Sequence, residues 1–296
     1  MPPRHAVVDI GSGTTTLAVF EAGPAGYLDR LYQQGEPLQL MRKIGPDGAL
    51  TPSAVKLTVS TLKGFAKKAR ELGAEAIDVV ATSAVRDATN RDELLSKIAV
   101  DPAFRVRLVS GEEEGKLAAH TVLCTLPMRD GLVIDMGGGS LQIVQVARRR
   151  VVRSVSLPLG AIRLTDRFLP GDIPSADGLI RLRRYVIDAL RDLPWIHGTG
   201  QVVAAGGSAR ALGKVDRKAR GWKVGHGHGY LVDTEVIVDL YEHMSRQEAK
   251  HRAATAGLPS LRVESIVAVT LVFATLLRAA RATGMHLSTY GIREGV

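Results

Sequence analysis

Short apolar runs alternate with amphipathic stretches along this chain. Runs at 5–10, 16–21 and 27–33 predict a three-strand meander, and those at 77–81 and 105–109 two further strands. Helices are predicted over 52–72, with Pro52 in its first turn, over 92–98, and from 112 onward. The second half repeats the style, with strands at 131–135, 141–147, 150–157 and 201–205 and helices near 176–190, 209–219, 232–247 and 262–283. Residues 265–277 are apolar but too few to span a bilayer, and Arg278 and Arg281 follow, so a buried helix is expected. Residues 225–230 read as a loop, and the break at 126–130 as a hinge. Strands followed by helices in both halves predict two α/β domains with mixed sheets.

One phrase occurs twice, 126 residues apart: HAVVDIGSGTTTLAV from His5 and GLVIDMGGGSLQIVQ from Gly131. Each is an apolar run ending in Asp (Asp9, Asp135), a turn of small residues closed by a hydroxyl, then a second apolar run. Either turn alone also describes an ordinary tight β-hairpin, with glycine supplying positive φ. Neither precedes a helical pattern or contains Gly-Lys-Ser/Thr, which argues against a dinucleotide fingerprint and a P-loop. Repetition of Asp, turn and hydroxyl in one order points instead to two related halves whose turns clamp phosphate and metal.

The backbone N–H groups of Gly11, Ser12, Gly13 and Thr14, and of Gly137, Gly138, Gly139 and Ser140, are the expected cradle, with hydroxyls of Ser12, Thr14 and Ser140 as added donors. Gly206, Gly207 and Ser208 form a third Gly-rich turn before a helix, another anion site. Asp9 and Asp135 end apolar strands, where a carboxylate is costly unless paired. They are expected to hold a divalent cation, Mg²⁺ or Mn²⁺; the other reading has each capping its own turn. Arg86 lies just past a strand, placed to grip phosphate bidentately or to pair with Asp87 or Asp92.

Composition narrows the partners. A formal charge of +9 places basic residues in Arg148–Arg149–Arg150 with Arg153, in Arg181, Arg183 and Arg184, and in Lys214, Arg217, Lys218, Arg220 and Lys223. These are either solvated faces or a track for a polyanion, and the size of the excess favours a polyanion. Aromatic residues make up 4% with no stacking cluster, which argues against a nucleic-acid partner. The single cysteine, Cys124, excludes an internal disulfide, fits a reducing cytoplasm and is expected to be a packed thiol. The chain starts with too short an apolar region for a signal peptide, so a cytoplasmic location and no membrane partner are expected.

Further stretches carry a resemblance. DIGSGT at 9–14 resembles the DIGSNS, ATSAVRDATN at 81–90 the ATSAxRxAxN, and SGEEEGKL at 110–117 the SGxEEARL of the exopolyphosphatase / guanosine pentaphosphate phosphohydrolase (Ppx/GppA) family. IDMGGGS at 134–140 is similar to that family's second phosphate turn; LPLGAIRL at 157–164, AGGSAR at 205–210, HGY at 228–230 and IREG at 292–295 fit its later motifs. The resemblance implies two RNase H-like domains of the actin/Hsp70/sugar kinase superfamily, with an active-site cleft between them. The expected domains are 1–126 and 127–290, with 291–296 returning toward the first.

It further implies hydrolysis of terminal orthophosphate from inorganic polyphosphate, or of guanosine pentaphosphate. Arg86 would then be a phosphate ligand and Glu114, one of three consecutive acids, the general base on the attacking water. A raised carboxyl pKa beside other acids would suit that base. Two departures stand out: the family's GGGSTE ends here in Ser140-Leu141-Gln142, an amide replacing a catalytic carboxylate, and Gly13 replaces an Asn. The amide at Gln142 leaves a non-catalytic polyphosphate or nucleotide sensor as the competing expectation. A homodimer and a monomer are both compatible with these features.

Overall fold

The computed structural model describes residues 2–23, 28–74, 76–222 and 227–296. The expected loop at 225–230 and strand at 27–33 therefore lie partly outside the described residues, as does Lys223. The chain divides into two compact units, one of Met1–Glu114 with Ile292–Glu294 and Val296, the other of Gly115–Gly291 with Gly295. The division falls at Glu114/Gly115, inside a helix, rather than at the break near 126, and residues 292–294 belong to the first unit.

The first unit is a five-stranded sheet in the order β3-β2-β1-β4-β5. β1 (Arg4–Ile10), β2 (Thr15–Ala22) and β3 (Leu28–Glu36) form the antiparallel meander, and β4 (Ile77–Ala81) and β5 (Phe104–Leu108) continue in parallel with β1. α1 (Pro52–Glu71) starts where the Thr51 side chain accepts the Ala54 N–H at 3.3 Å and Pro52 needs no N–H partner. Its Leu62, Phe65 and Ala69 share one buried cluster with Ile10 and Leu17, and large side chains such as Leu62 and Phe65 each contribute about 1.5–3 kcal/mol on burial. α2 (Ser83–Asp87) and α3 (Arg91–Ala99) lie between β4 and β5, and α4 (Gly111–Thr125) follows.

The second unit repeats the plan. β6 (Gly131–Met136), β7 (Leu141–Ala147) and β8 (Arg150–Leu157) form the meander, and β9 (Val202–Ala205) pairs in parallel with β6. The sheet order is β10-β11-β9-β6-β7-β8, with β10 (Leu231–Asp233) and β11 (Gly284–Leu287) beyond β9. Its helices are α5 (Ala161–Phe168), α6 (Ala176–Arg191), α7 (Gly206–Ala219), α8 (Thr234–Met244), α9 (Ala249–Ala253) and α10 (Ile266–Ala280); α11 (Ile292–Gly295) ends the chain. α10 is buried nearly throughout, as its all-round apolarity requires, and packs with Leu182, Val186 and Ile237.

Several expectations are corrected. The helix expected at 232–247 is preceded by a short strand, because Leu231–Asp233 pairs with Gly284–His286. Cys124 is exposed rather than packed: Ala119, Val122 and Leu123 form the inner stripe of α4 and leave position 124 outside. Arg148, Arg149 and Arg150 are exposed, and of these Arg149 is also tied to the fold. Arg148 and Arg149 adopt left-handed backbone in the β7–β8 turn, and the Arg149 guanidinium donates to the carbonyls of Met128, at 3.3 Å, and Leu123. Arg220 is likewise engaged, by Asp216 at 2.9 Å and Asp233 at 2.8 Å. Among the described residues no helix is long and apolar enough to cross a membrane.

Candidate functional site

Both Gly-rich turns are hairpin turns, and both are held from one side. Asp9 pairs across its hairpin with Thr16, and Asp135 with Gln142. In the first turn the carbonyls of Ser12 and Gly13 accept the N–H groups of Met41 (3.0 Å) and Gln39 (2.8 Å). In the second, α5 opens against the turn: Ala161 N–H binds the Gly137 carbonyl, Ile162 and Arg163 N–H the Gly138 carbonyl, and Arg163 Nε the Gly139 carbonyl at 2.8 Å. A trans peptide directs its N–H opposite to its C=O. The N–H groups of Gly13 and Thr14, and of Gly138, Gly139 and Ser140, therefore point away from these anchors, as an anion cradle requires. The hairpin and cradle readings of the sequence describe one geometry.

Gly11 and Gly137 do not adopt the positive φ of the ordinary-hairpin reading; at Gly11 a side chain would instead meet the Thr14 carbonyl at 2.7 Å. The third turn is not a loop before a helix but the opening of α7 itself. There Gly206, at φ 80°, leaves room for Asp135, whose Oδ1 lies 2.0 Å from where a Cβ would stand. Ser208 is fully buried and donates its hydroxyl to the Met136 carbonyl at 2.8 Å, so this side chain serves the fold. The first unit has the counterpart: Thr82, after β4, donates to the Ile10 carbonyl at 3.2 Å. In each case a hydroxyl pins the residue after the aspartate. Ser12 is also engaged, its oxygen accepting the Ala84 N–H at 3.1 Å.

In the first unit Arg86 meets Glu114, Nη1 to Oε2 at 3.4 Å, while the same Nη1 donates to the Val109 carbonyl at 2.9 Å. Neither Asp87 nor Asp92 is the partner found. Of the three consecutive acids, Glu112 is exposed, Glu113 pairs outward with Arg107 at 3.1 Å, and Glu114 is turned in, with its side chain 13% exposed. Arg86 thus sets a cation beside Glu114.

Asp9 faces Arg293 from α11, Nη1 to Oδ2 at 3.5 Å, with both side chains mostly buried. On Asp135 acts Arg262, whose guanidinium also lies where a side chain on Gly207 would stand. Burial pushes Arg262 below its ordinary pKa and the Asp135 carboxylate pulls it back up. Each aspartate therefore has an arginine nearby, so the cost of its charge does not by itself demand a metal. Among the described residues no group of three or more His, Cys, Asp or Glu could hold an ion. A single carboxylate such as Asp9 or Asp135 still fits Mg²⁺, since Mg²⁺ takes one or two carboxylates and fills its shell with phosphate and water.

Gln142 is buried, and its amide donates to Ser140 Oγ at 2.8 Å and to Ser156 Oγ at 3.2 Å. The expected residues thus form a first-unit group of Asp9, the first turn, Arg86 and Glu114, and a second-unit group of Asp135, the second turn, Gly206, Gly207 and Gln142. Sequence reasoning missed Arg163, Arg262 and Arg293. The first and last sit in quoted motifs, GAIRL and IREG, where an arginine beside a turn was a usable signal; Arg262 had none.

Relatives match this chain over nearly all of its length. The chain is 29% identical over 299 residues to a Mycobacterium leprae protein named exopolyphosphatase 1, covering 99% of this chain and 88% of the relative. It is 26% identical to exopolyphosphatase 2 of Mycobacterium tuberculosis, covering 99% and 97%. The crystal structure of the Aquifex aeolicus Ppx/GppA family member superposes with a TM-score of 0.84 at 25% identity, covering 99% and 95%. An exopolyphosphatase structure from Cytophaga hutchinsonii gives 0.91 at 24% identity, covering 99% and 96%. The fold is therefore the expected pair of RNase H-like domains of the actin/Hsp70/sugar kinase superfamily. With the family model matching residues 19–296, the chain belongs to the Ppx/GppA phosphatase family.

Proposed function

We propose that this protein is an exopolyphosphatase that removes terminal orthophosphate from inorganic polyphosphate. The observation that carries this reading is the anchoring of both Gly-rich turns through their carbonyls, which aims their N–H groups at an anion. Phosphoryl transfer to water needs positioning and charge stabilisation more than covalent chemistry. Arg86 grips a phosphate oxygen, and Glu114, held by Arg86, takes a proton from the attacking water through its carboxylate oxygen. Ser140, whose oxygen already accepts from Gln142, keeps its own O–H to donate. Asp9 and Asp135 are the residues that would hold Mg²⁺, which when bound supplies charge neutralisation on the phosphate oxygens. The second unit's cradle gives a long polyanion a further place to be held.

The test is orthophosphate release from polyphosphate and from guanosine pentaphosphate, each with and without Mg²⁺. Release from polyphosphate in preference to the nucleotide is expected; preference for the nucleotide reverses the substrate assignment. A second reading, a non-catalytic sensor, is favoured by Gln142, whose amide cannot take up a proton. Calorimetric binding of polyphosphate without release from either substrate would select it.

A further inference from the structure

The second unit carries an apolar trough that the phosphate chemistry does not use. α6 turns Leu182, Val186 and Leu190 into the core. On its outer side Ile180 is 64% and Ile187 45% exposed, two turns apart on one face. Ile180, Arg184, Ile187 and Tyr241 of α8 line a cavity of about 580 Å³. Arg183, Ile187 and Tyr241 continue into a smaller one of about 160 Å³ that reaches Leu271 and Arg278 of α10. The floor is apolar and the rim basic: Arg183, Arg184, Arg191 and Arg278 stand against two lining carboxylates, Asp188 and Glu242. Asp188 is paired with Arg191 at 2.6 Å, and the Arg183 guanidinium lies over the Tyr241 ring at 5.7 Å.

We propose that this trough docks an acidic amphipathic helix of a partner protein. Ile180 and Ile187 are about 10 Å apart along α6, which matches apolar anchors seven residues apart on an incoming helix. Arginine forks at the rim recognise carboxylates bidentately, so the occupant's flanks carry Glu or Asp. A second copy of this chain is the poorer fit, because two such basic faces on a protein of charge +9 repel.

The test uses the full chain and a fluorescein-labelled peptide of about sixteen residues, built from Leu at helical spacing on a Glu/Ala background. Fluorescence anisotropy should show it binding about tenfold tighter than a scrambled peptide of the same composition, and less tightly as salt rises. Ile180→Glu and Ile187→Glu, at exposed positions, should each reduce that affinity about tenfold while leaving circular dichroism and phosphate release unchanged. If Ile187→Glu perturbs the fold, Arg184→Glu reads the same surface through charge alone. The proposal is overturned by absence of binding, by equal binding of the scrambled peptide, or by variants that bind as well as wild type. It is equally overturned if sedimentation shows a dimer that Ile180→Glu dissociates, or if the face binds phosphatidylglycerol vesicles instead.

Discussion

Gln142 stands directly across the β6–β7 hairpin from Asp135, and its amide donates to Ser140 and Ser156 on either side. Opposed residues project to one face of a sheet, so a charge at position 142 would stand beside that of Asp135. Gln142→Glu should weaken calorimetric binding of tripolyphosphate in the absence of metal about tenfold, through added repulsion and the diversion of the Ser140 proton to the new carboxylate. Unchanged affinity would show that the Ser140 hydroxyl does not touch phosphate.

Arg86 and Glu114 should separate kinetically. Glu114→Gln keeps an acceptor for Arg86 but loses the base, so kcat should fall by about 10²–10⁴ with little change in KM. Arg86→Ala should raise KM as well, because it removes a phosphate ligand together with the 3.4 Å contact to Glu114. Equal effects of both variants on KM would refute this division.

Arg293→Ala takes from Asp9 its cation at 3.5 Å in a mostly buried setting. Urea denaturation should show a loss of about 2 kcal/mol, below the cost of breaking a fully buried pair because the contact is long and partly wet. A change within about 0.5 kcal/mol would mean that other groups carry the Asp9 charge.

Gly160 packs backbone against backbone on the second turn: a Cβ there would sit 2.2 Å from the Gly139 carbonyl carbon. Neither partner has a side chain that can swing aside. Gly160→Ala should therefore cost about 3 kcal/mol and displace the turn, lowering phosphate affinity along with Tm. A Tm equal to wild type would show that α5 can slide off the turn at no cost.

Tyr230 is pushed above its ordinary pKa by burial first and by its 2.8 Å hydrogen bond to Asp216 second. Its folded form holds the proton above about pH 10, where the unfolded chain has lost it. Stability from this group is complete below pH 10 and falls as pH rises past it. Denaturation midpoints between pH 8 and pH 11 should drop more for wild type than for Tyr230→Phe; parallel curves would remove Tyr230 as the cause.

The strand pattern and the doubled turn were legible because their determinants are local: alternation sets β1–β2 and β6–β7, and the turns need small residues at fixed places. α2, α5 and β11 were not, since they are short and exist through what they pack on. β11, for instance, is a strand because β9 and β10 flank it. The site was legible to the extent that it is written in contiguous motifs. Glu114 was separated from Glu112 and Glu113 only by the family likeness, and the structure places Arg86 beside it. Arg262 and Arg293 reach their aspartates across 127 and 284 positions of sequence, a relation that no spacing rule encodes. Cys124 was misjudged because its apolar neighbours belong to one helical stripe and it stands outside that stripe.

The return of residues 292–294 to the first unit has a consequence for how the molecule is made. Asp9 and Arg293 are far apart in sequence, so the amino-terminal sheet is synthesised well before this ion pair can close. The ion pair is thereby a non-local closure laid over a hairpin whose own contacts are near in sequence, and it forms after them.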